Sequence, residues 1–405
     1  MKKNKLLLHK QILAAVLSGG ILLLPNWGYA LPQGGQVVAG TGSIGTPGGD
    51  QMNITGSGNV AIDWNSFNVA QGESVKFSGM QAVLNYVTGN TKSEIFGNIS
   101  GSGVHVFLVN PNGILFGATA SVNVGELTAS TRTIDNRKSF DGTAFSTLSP
   151  EAAQKVRGDI INLGELTADK ILLEGDNISL LNAHMLKSSG NGNITLRADN
   201  KVTVGYEVTD KTTINVGDDA PGGHTVSDYT TGTGTKGSTV LAGAAVQDLR
   251  GNSKNITDAM LVHDIYELQA IDKNTVVGSN GHKYVQGDYM LANDIDASGT
   301  VNWHNGKGFA SIGDISDWPN SPKGGFTGSL DGLDCKIMGL NIKRTDTSNY
   351  YGCYIGLFTI LREEASVKNI RLTDYETKDI NGAATIIKSY IEGAQEVGGI
   401  AGVNY

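Results

Sequence analysis

Gly40-Thr41-Gly42-Ser43-Ile44-Gly45 has the glycine spacing of a dinucleotide-binding loop, in which a helix N-terminus must receive the pyrophosphate. The next four residues are Thr46-Pro47-Gly48-Gly49, which cannot start a helix, so the spacing carries no nucleotide chemistry. Asp294-Ile-Asp-Ala-Ser-Gly299 supplies the first six positions of a calcium loop. The twelfth is Asn305, where a bidentate Glu is required, so a turn whose Asp side chains cap their own backbone is the better reading. The seven histidines (His9, His105, His184, His224, His263, His282, His304) are scattered and none is followed by Glu, so a H-E-x-x-H zinc site is absent, as are a G-x-S-x-G nucleophile elbow and a phosphate loop. Acids and Lys or Arg converging from neighbouring strands could make a polysaccharide lyase, but the strands here expose Thr, Ser and Asn more than charge. The chain is therefore read as non-catalytic, without metal or cofactor. Its two cysteines, Cys335 and Cys353, can be either a disulfide or two unpaired thiols in neighbouring strands.

The elements that would position any site are short strands. Runs such as NVAIDW, SVKFS, AVLNYV, VHVFLV, KILLEG and NITLRA alternate apolar and polar residues and are separated by Gly, Asn and Asp. Five Asn-Ile-Ser/Thr triplets, at Asn53, Asn98, Asn177, Asn193 and Asn255, match a glycosylation acceptor, but read better as an Asn corner entering a strand. The one helical signal is Ser149-Pro150-Glu151 before Ala152 to Val156. Asn123-Val-Gly-Glu-Leu-Thr-Ala129 returns as Asn162-Leu-Gly-Glu-Leu-Thr-Ala168, 39 residues later, which reads as two coils of about 20 in a stacked solenoid. A parallel β-helix satisfies this, with Gly or Asn at its left-handed corners, and its stack would be of order 75 to 90 Å long. A hairpin-built sandwich would not explain the echo.

Among the turns, Asn110-Pro111-Asn112-Gly113 stands out, flanked by Val106 to Val109 and Ile114 to Phe116. Pro111 pre-sets φ at the second position, Asn112 tolerates the third, and Gly113 lets the chain leave. It is either a folding corner or a surface that a partner reads. As a plain corner it should tolerate Ser at 110 and 112 for about a kilocalorie or less.

Residues 1–30 read as a secretory signal: Lys2, Lys3, Lys5 and Lys10 precede an apolar run from Ile12 to Leu24, and Gly28-Tyr29-Ala30 precedes Leu31, so cleavage is expected between Ala30 and Leu31. Without it the chain has 27 basic and 39 acidic residues, a net of −12, which is no footprint for nucleic acid. Glycine, at 55 of 405, is enriched without proline, as many tight turns require. Gly217 to Gly237, rich in Thr, Gly and Asp, reads as a joint between residues 31–254 and a second region, 255–405, with different punctuation: GGFTGSLDGLDCKIMGLNI, YIGLFTILREEASVKNIRL and VGGIAGVNY. The chain stops inside what reads as a repeat, so it is expected to be the front of something longer or a truncated copy.

Residues Leu31 to about Tyr206 resemble the two-partner secretion domain of filamentous haemagglutinin-like proteins, through GSGNVAIDWNSFNVAQGESVKF, AVLNYVTG and SEIFGNISGSGVHVFLVNPNGILFGATASVNVGELTAST. The later region resembles the Gly-rich (GLUG-type) repeats of bacterial surface adhesins, through LANDIDAS, FTGSLDG and VGGIAGVN. The resemblance implies an all-β chain: a right-handed parallel β-helix with short extra-helical β elements. It implies export from a Gram-negative bacterium through a cognate outer-membrane β-barrel transporter, whose periplasmic domains read the N-terminal domain, to the cell surface or beyond. The implied role is a secreted adhesin for a receptor or glycan on a host or neighbouring cell. The alternative is the delivery end of a contact-dependent toxin or cytolysin whose activity lies beyond residue 405. Asn90-Thr91 stands where relatives commonly have Asn-Pro, which weakens the case for a second Asn-Pro element.

Overall fold

The structure is a computed structural model that describes residues 30–143, 158–190, 192–209, 211–214, 224–227, 234–279, 283–313, 323–345, 354–378, 384–393 and 396–404. The helix expected after Ser149, His282 and Cys353 lie outside the described residues. Leu31–Tyr405 is one compact unit, and it is all-β in character.

The chain begins with β1 (Gln36–Ile44), β2 (Gln51–Trp64), β3 (Ser74–Val87), β4 (Ser93–Ile95), β5 (Asn98–Val109), β6 (Ile114–Phe116) and β7 (Ser121–Ser130). It continues with β8 (Ile160–Asn162), β9 (Glu165–Thr167), β10 (Lys170–Leu180), β11 (Leu186–Lys187) and β12 (Ile194–Tyr206). The Gly40-to-Gly45 motif runs into β1, an antiparallel strand on the edge of β2, and meets no helix. From β2 onward the pairing is parallel: Gln51 faces Ser74, Ser74 faces Asn98 and Asn98 faces Ser121, steps of 23, 24 and 23 residues. The long strands carry bulges near Gly58, between Lys76 and Ala82, and between Gly101 and His105, so each reads in sequence as two short strands. Another face of this same first ladder runs β4, β6, β8 and the C-terminal half of β10.

The 39-residue echo is not the stacking period. Val122 pairs with Leu166 and Leu127 with Ile171, a step of 44, because an excursion after β7 lengthens one coil. The two Gly-Glu-Leu-Thr-Ala copies therefore occupy different positions in the coil and are not stacked on each other.

Alternation along the strands sorts side chains into separate cores. Val106, Leu108, Ile114 and Phe116 join the inner core of the first ladder. Phe107 and Val109 point the other way, into a cluster with Ala61, Leu84, Tyr86 and Ile134. Leu115, Ile161 and Leu163 also point outward, but into a core made mostly of residues from 206 onward.

Beyond β12 come a hairpin, β13 (Lys211–Ile214) and β14 (His224–Ser227), then β15 (Ala245–Gln247) and β16 (Ile256–Val262). After β16 the chain forms a short helix, Ile265–Ala270, capped by Asp264, whose side chain accepts from Tyr266 N and Glu267 N. Next are the antiparallel pair β17 (Thr275–Val277) and β18 (Lys283–Val285), then β19 (Asp288–Leu291), β20 (Ile295–Asp296), β21 (Lys323–Phe326), β22 (Ser329–Asp331) and β23 (Lys336–Met338). β16 belongs to two ladders: Met260 pairs with Tyr206 of β12 and with Tyr289 of β19. From β19 the new ladder runs to β22 and then to Ser366–Lys368, with longer steps of 41 and 37 residues.

This second ladder retraces the first. Lys201 of β12 donates to Asp288 of β19 at 2.9 Å, Ser179 of β10 to Asp331 of β22 at 2.6 Å, and Lys368 to Asp159, just before β8, at 3.4 Å. Lys92, just before β4, pairs with Asp334 at 2.5 Å. Going away from β16, each strand of the second ladder thus lies beside an earlier strand of the first.

Of the five Asn-Ile-Ser/Thr triplets, Asn98 opens β5, Asn193 and Asn255 immediately precede β12 and β16, and Asn53 and Asn177 lie within β2 and β10. Asp296 accepts from Ser298 N at 2.9 Å and Asp294 from Lys336 N at 2.8 Å, so both carboxylates of the calcium-like motif cap backbone. Cys335 is a buried free thiol, pushed up to about 12 mainly by burial.

Candidate functional site

The strands flanking Asn110-Pro111-Asn112-Gly113 do not pair with each other. β5 pairs with β3 and β7, and β6 with β4 and β8, so the tetrapeptide is a coil corner and not a hairpin. Asn110 is fully buried, Pro111 is half-buried and Asn112 is exposed. A buried amide must find partners for two donors and an acceptor oxygen with two lone pairs. Asn110 finds all of them: Nδ2 donates to Thr91 O and to Ser93 Oγ, each at 3.0 Å, and Oδ1 accepts from Asn112 N at 2.9 Å and Asn112 Nδ2 at 3.0 Å. The Oδ1 contact to the backbone two residues on is an Asx turn, which Pro111 favours by holding its own φ. Asn112 Nδ2 also donates to Gly89 O at 2.9 Å.

The backbone extends these ties in the other direction along the stack. Asn110 N donates to Ser130 O at 2.9 Å, Gly113 N to Asn110 O at 3.1 Å, Ser93 N to Gly113 O at 3.0 Å, and Ile114 N to Asp159 O at 3.0 Å. One corner therefore stitches residues 89–93 of the previous coil to 130 and 159 of the next. Gly113 adopts φ +115°, outside the reach of other residues without strain, and a Cβ on Gly158 would lie 2.3 Å from Gly113 N. Both glycines let neighbouring coils come close at this point.

Beside the corner lies a polar group that the sequence did not advertise. Glu174 is 1% exposed and takes Arg132 in a two-pronged pair, Nε to Oε2 and Nη2 to Oε1, both at 2.6 Å. Ser130 Oγ donates to Glu174 Oε2 at 3.0 Å and accepts from Arg132 N at 3.1 Å, while Thr131 Oγ1 donates to Gly158 O at 3.0 Å. The two partners are 42 residues apart with no shared motif. The only hint in sequence was that Glu174 directly follows the apolar run Ile171-Leu172-Leu173.

Past this pair, residues 131–143 cover the outward cluster around Phe107. Phe140 meets Phe107 edge-on at 5.2 Å, Arg137 Nε and Nη2 donate to the Asp63 carboxylate at 2.7 and 3.0 Å, and the guanidinium sits 4.3 Å from the Tyr86 ring centre. His105 stacks on Phe107 with 3.9 Å between ring centres, and burial lowers its pKa. At the junction with the second region, His263 Nδ1 lies 3.0 Å from Glu267 and Nε2 2.9 Å from Glu207. The Glu267 hydrogen bond leads the causes that raise its pKa.

At the other expected site, Leu31 is fully buried in the first core and the compact unit starts there. Gln33 fixes the entry by donating through Nε2 to Leu31 O at 2.7 Å and through its backbone to Ser66 O at 2.9 Å. No group of three or more His, Cys, Asp or Glu able to hold a metal occurs among the described residues.

A heme/hemopexin-binding protein of Haemophilus influenzae is 30% identical over 173 residues, which is 41% of this chain and 19% of that protein. Halomucin of Haloquadratum walsbyi is 30% identical over 166 residues, 38% of this chain and 2% of its own length. The chain thus spans less than a fifth of the length of these relatives. The crystal structure of the HMW1 secretion domain from Haemophilus influenzae aligns over 92% of this chain and 99% of that one, at 16% identity and a TM-score of 0.30. Residues 30–308 match the family model described as TPS secretion domain, and the chain belongs to that family, the secretion domains of two-partner secreted exoproteins.

Proposed function

We propose that this chain is the front of a large, non-catalytic secreted adhesin, in which residues 31–254 form the address read by a cognate outer-membrane β-barrel transporter and residues 255–405 begin the displayed portion. The parallel ladders are read as the faces of a right-handed β-helix that assembles coil by coil from Leu31 after cleavage at Ala30. The observation that carries the address reading is the family match across 30–308, which runs on through β16, the strand both ladders share.

Within that reading, Asn110-Pro111-Asn112-Gly113 serves chiefly as a folding corner. All four hydrogen-bonding positions of the Asn110 amide are spent inside the chain, so a partner reading this turn would meet Asn112 and the Pro111 ring but not Asn110. The test is secretion with the transporter co-expressed. Residues 1–254 should reach the medium, whereas 255–405 behind the same signal should stay in the periplasm; export of the second fragment alone would move the address elsewhere. Asn110→Ser should lose secretion and thermal midpoint together, and lost secretion at an unchanged midpoint would instead make the corner a contact site. For adhesion, a strain lacking the gene should bind host or neighbouring cells less, and purified chain should compete with the wild-type strain; equal binding by both strains would remove the adhesin role.

A further inference from the structure

The first ladder carries an outward apolar face that enters a core made mostly of residues of the second region, with Tyr206, Val208 and Leu181 at its border. Leu115 of β6, Ile161 of β8 and Leu163 are 2, 5 and 6% exposed, and the core they enter is completed by Leu333, Ile337 and Leu340. Leu115 stands two residues after Gly113, so this face is continuous with the corner that ties three coils together. The rim of the face is polar. Lys92 and Lys201 reach across to Asp334 and Asp288, Ser179 reaches to Asp331, and in the opposite sense Asp159 takes Lys368. Asp331 is held from four sides, by Ser179 Oγ, Leu333 N, Asn369 Nδ2 and Lys368. A polar groove of about 530 Å³ runs along this rim, lined by Asn177, Asn200 and Thr203 on one side and by Gln286, Ser329 and Glu364 on the other. The occupant that fits this face is an extended apolar segment flanked by carboxylates.

We propose that this face is an exchange surface: residues 329–340 occupy it in the folded chain, and the periplasmic domains of the cognate transporter occupy it during export by presenting an apolar segment flanked by carboxylates. This rests on the two-partner reading above and adds the place and the chemistry of contact. In a chain not yet fully folded, residues 31–209 would present Leu115, Ile161 and Leu163 with only Leu181, Tyr206 and Val208 of their core in place, since the rest of it, residues 329–340 included, comes later in the chain. Once the second region docks, the same face is closed and the partner must compete with it. A binding-competent state populated in only a fraction of molecules weakens apparent affinity by that fraction.

The experiment uses the full chain from Leu31 and the purified periplasmic domains of the cognate transporter. Asp288→Asn with Asp334→Asn keeps side-chain size while removing the two carboxylates to which Lys201 and Lys92 reach across the seam, and should tighten binding by about tenfold. Hydrogen exchange on the wild-type complex should show Ser329–Asp331 and Lys336–Met338 losing protection when the partner binds. Unchanged or weaker binding of the double variant, or binding that leaves both strands protected, overturns the exchange surface while leaving two-partner recognition standing. No binding by either protein overturns the recognition reading, and the exchange surface with it.

Discussion

Two outward faces of the same ladder are hidden by different means. The Phe107 face is covered by Ile134 and Phe140, residues of the excursion that leaves β7 at once, and that cover is rooted in the buried Arg132–Glu174 pair. The Leu115 face waits for Leu333 and Ile337, and its cover is tied by pairs such as Lys92–Asp334, in which the lysine is a third exposed. A nearby cover closes with little loop entropy and can be complete as soon as its own coil is formed, whereas a remote one must close a long loop against weaker contacts. The first ladder is thus self-sufficient on one side and dependent on the other.

The sharpest way to break this contrast is to remove its roots. Arg132→Ala leaves the Glu174 carboxylate buried without its partner and should lower stability by about 3–5 kcal/mol in denaturant titration. Lys92→Ala should lower it by less than about 1 kcal/mol, and equal losses would mean that the two covers are held alike. Next come the apolar contacts: Phe107→Ala should cost about 3–5 kcal/mol and Leu333→Ala about 2–5 kcal/mol. Hydrogen exchange separates them, since Phe107→Ala should loosen β3 and β5, whereas Leu333→Ala should release β22 and β23 and leave β5 protected.

Smaller still is the corner. Asn110→Ser removes two donors and an acceptor from a buried site and should cost about 1–3 kcal/mol, above the kilocalorie that its turn chemistry alone suggests. Asn112→Ser and Pro111→Ala should each stay within about 1 kcal/mol by thermal melting. The smallest expected effect is with pH. His263 has a raised pKa in the folded chain, through Glu267 first, so its contribution to the junction is fully present below about 6.5 and is lost as pH rises through the raised value. His105 has a lowered pKa through burial, so its contribution is present above about 6.5 and is lost as pH falls through the lowered value. Protection factors, which divide out the intrinsic pH dependence of exchange, should therefore fall with rising pH around His263 and with acid around His105; parallel trends would show that the two regions share one titrating contact.

The period-2 alternation made the strands legible, and the turn chemistry of Asn-Pro-Asn-Gly made the corner legible, because both are local. The inward aim of Asn110 was not, since it depends on Thr91 and Ser93 of another coil. Nor was the role of the Gly-Glu-Leu-Thr-Ala echo: identical strand chemistry suits several positions in a coil, and only the excursion after β7 decides which strands meet. The helix at Ile265 was missed although Asp264 and Glu267 carry a capping pattern three residues apart. The fold-back of the second ladder leaves no local trace at all, since it is written in pairs such as Ser179 with Asp331.

β1 has a consequence of another kind. By lying antiparallel along β2, whose other edge takes β3, it seals the starting edge of the first ladder. A stack sealed at one end behaves like a filament with a blocked terminus, to which subunits add only at the other. Coils are then added in the order in which the chain delivers them, and a second copy approaching that end meets an antiparallel edge strand and not a parallel coil to extend.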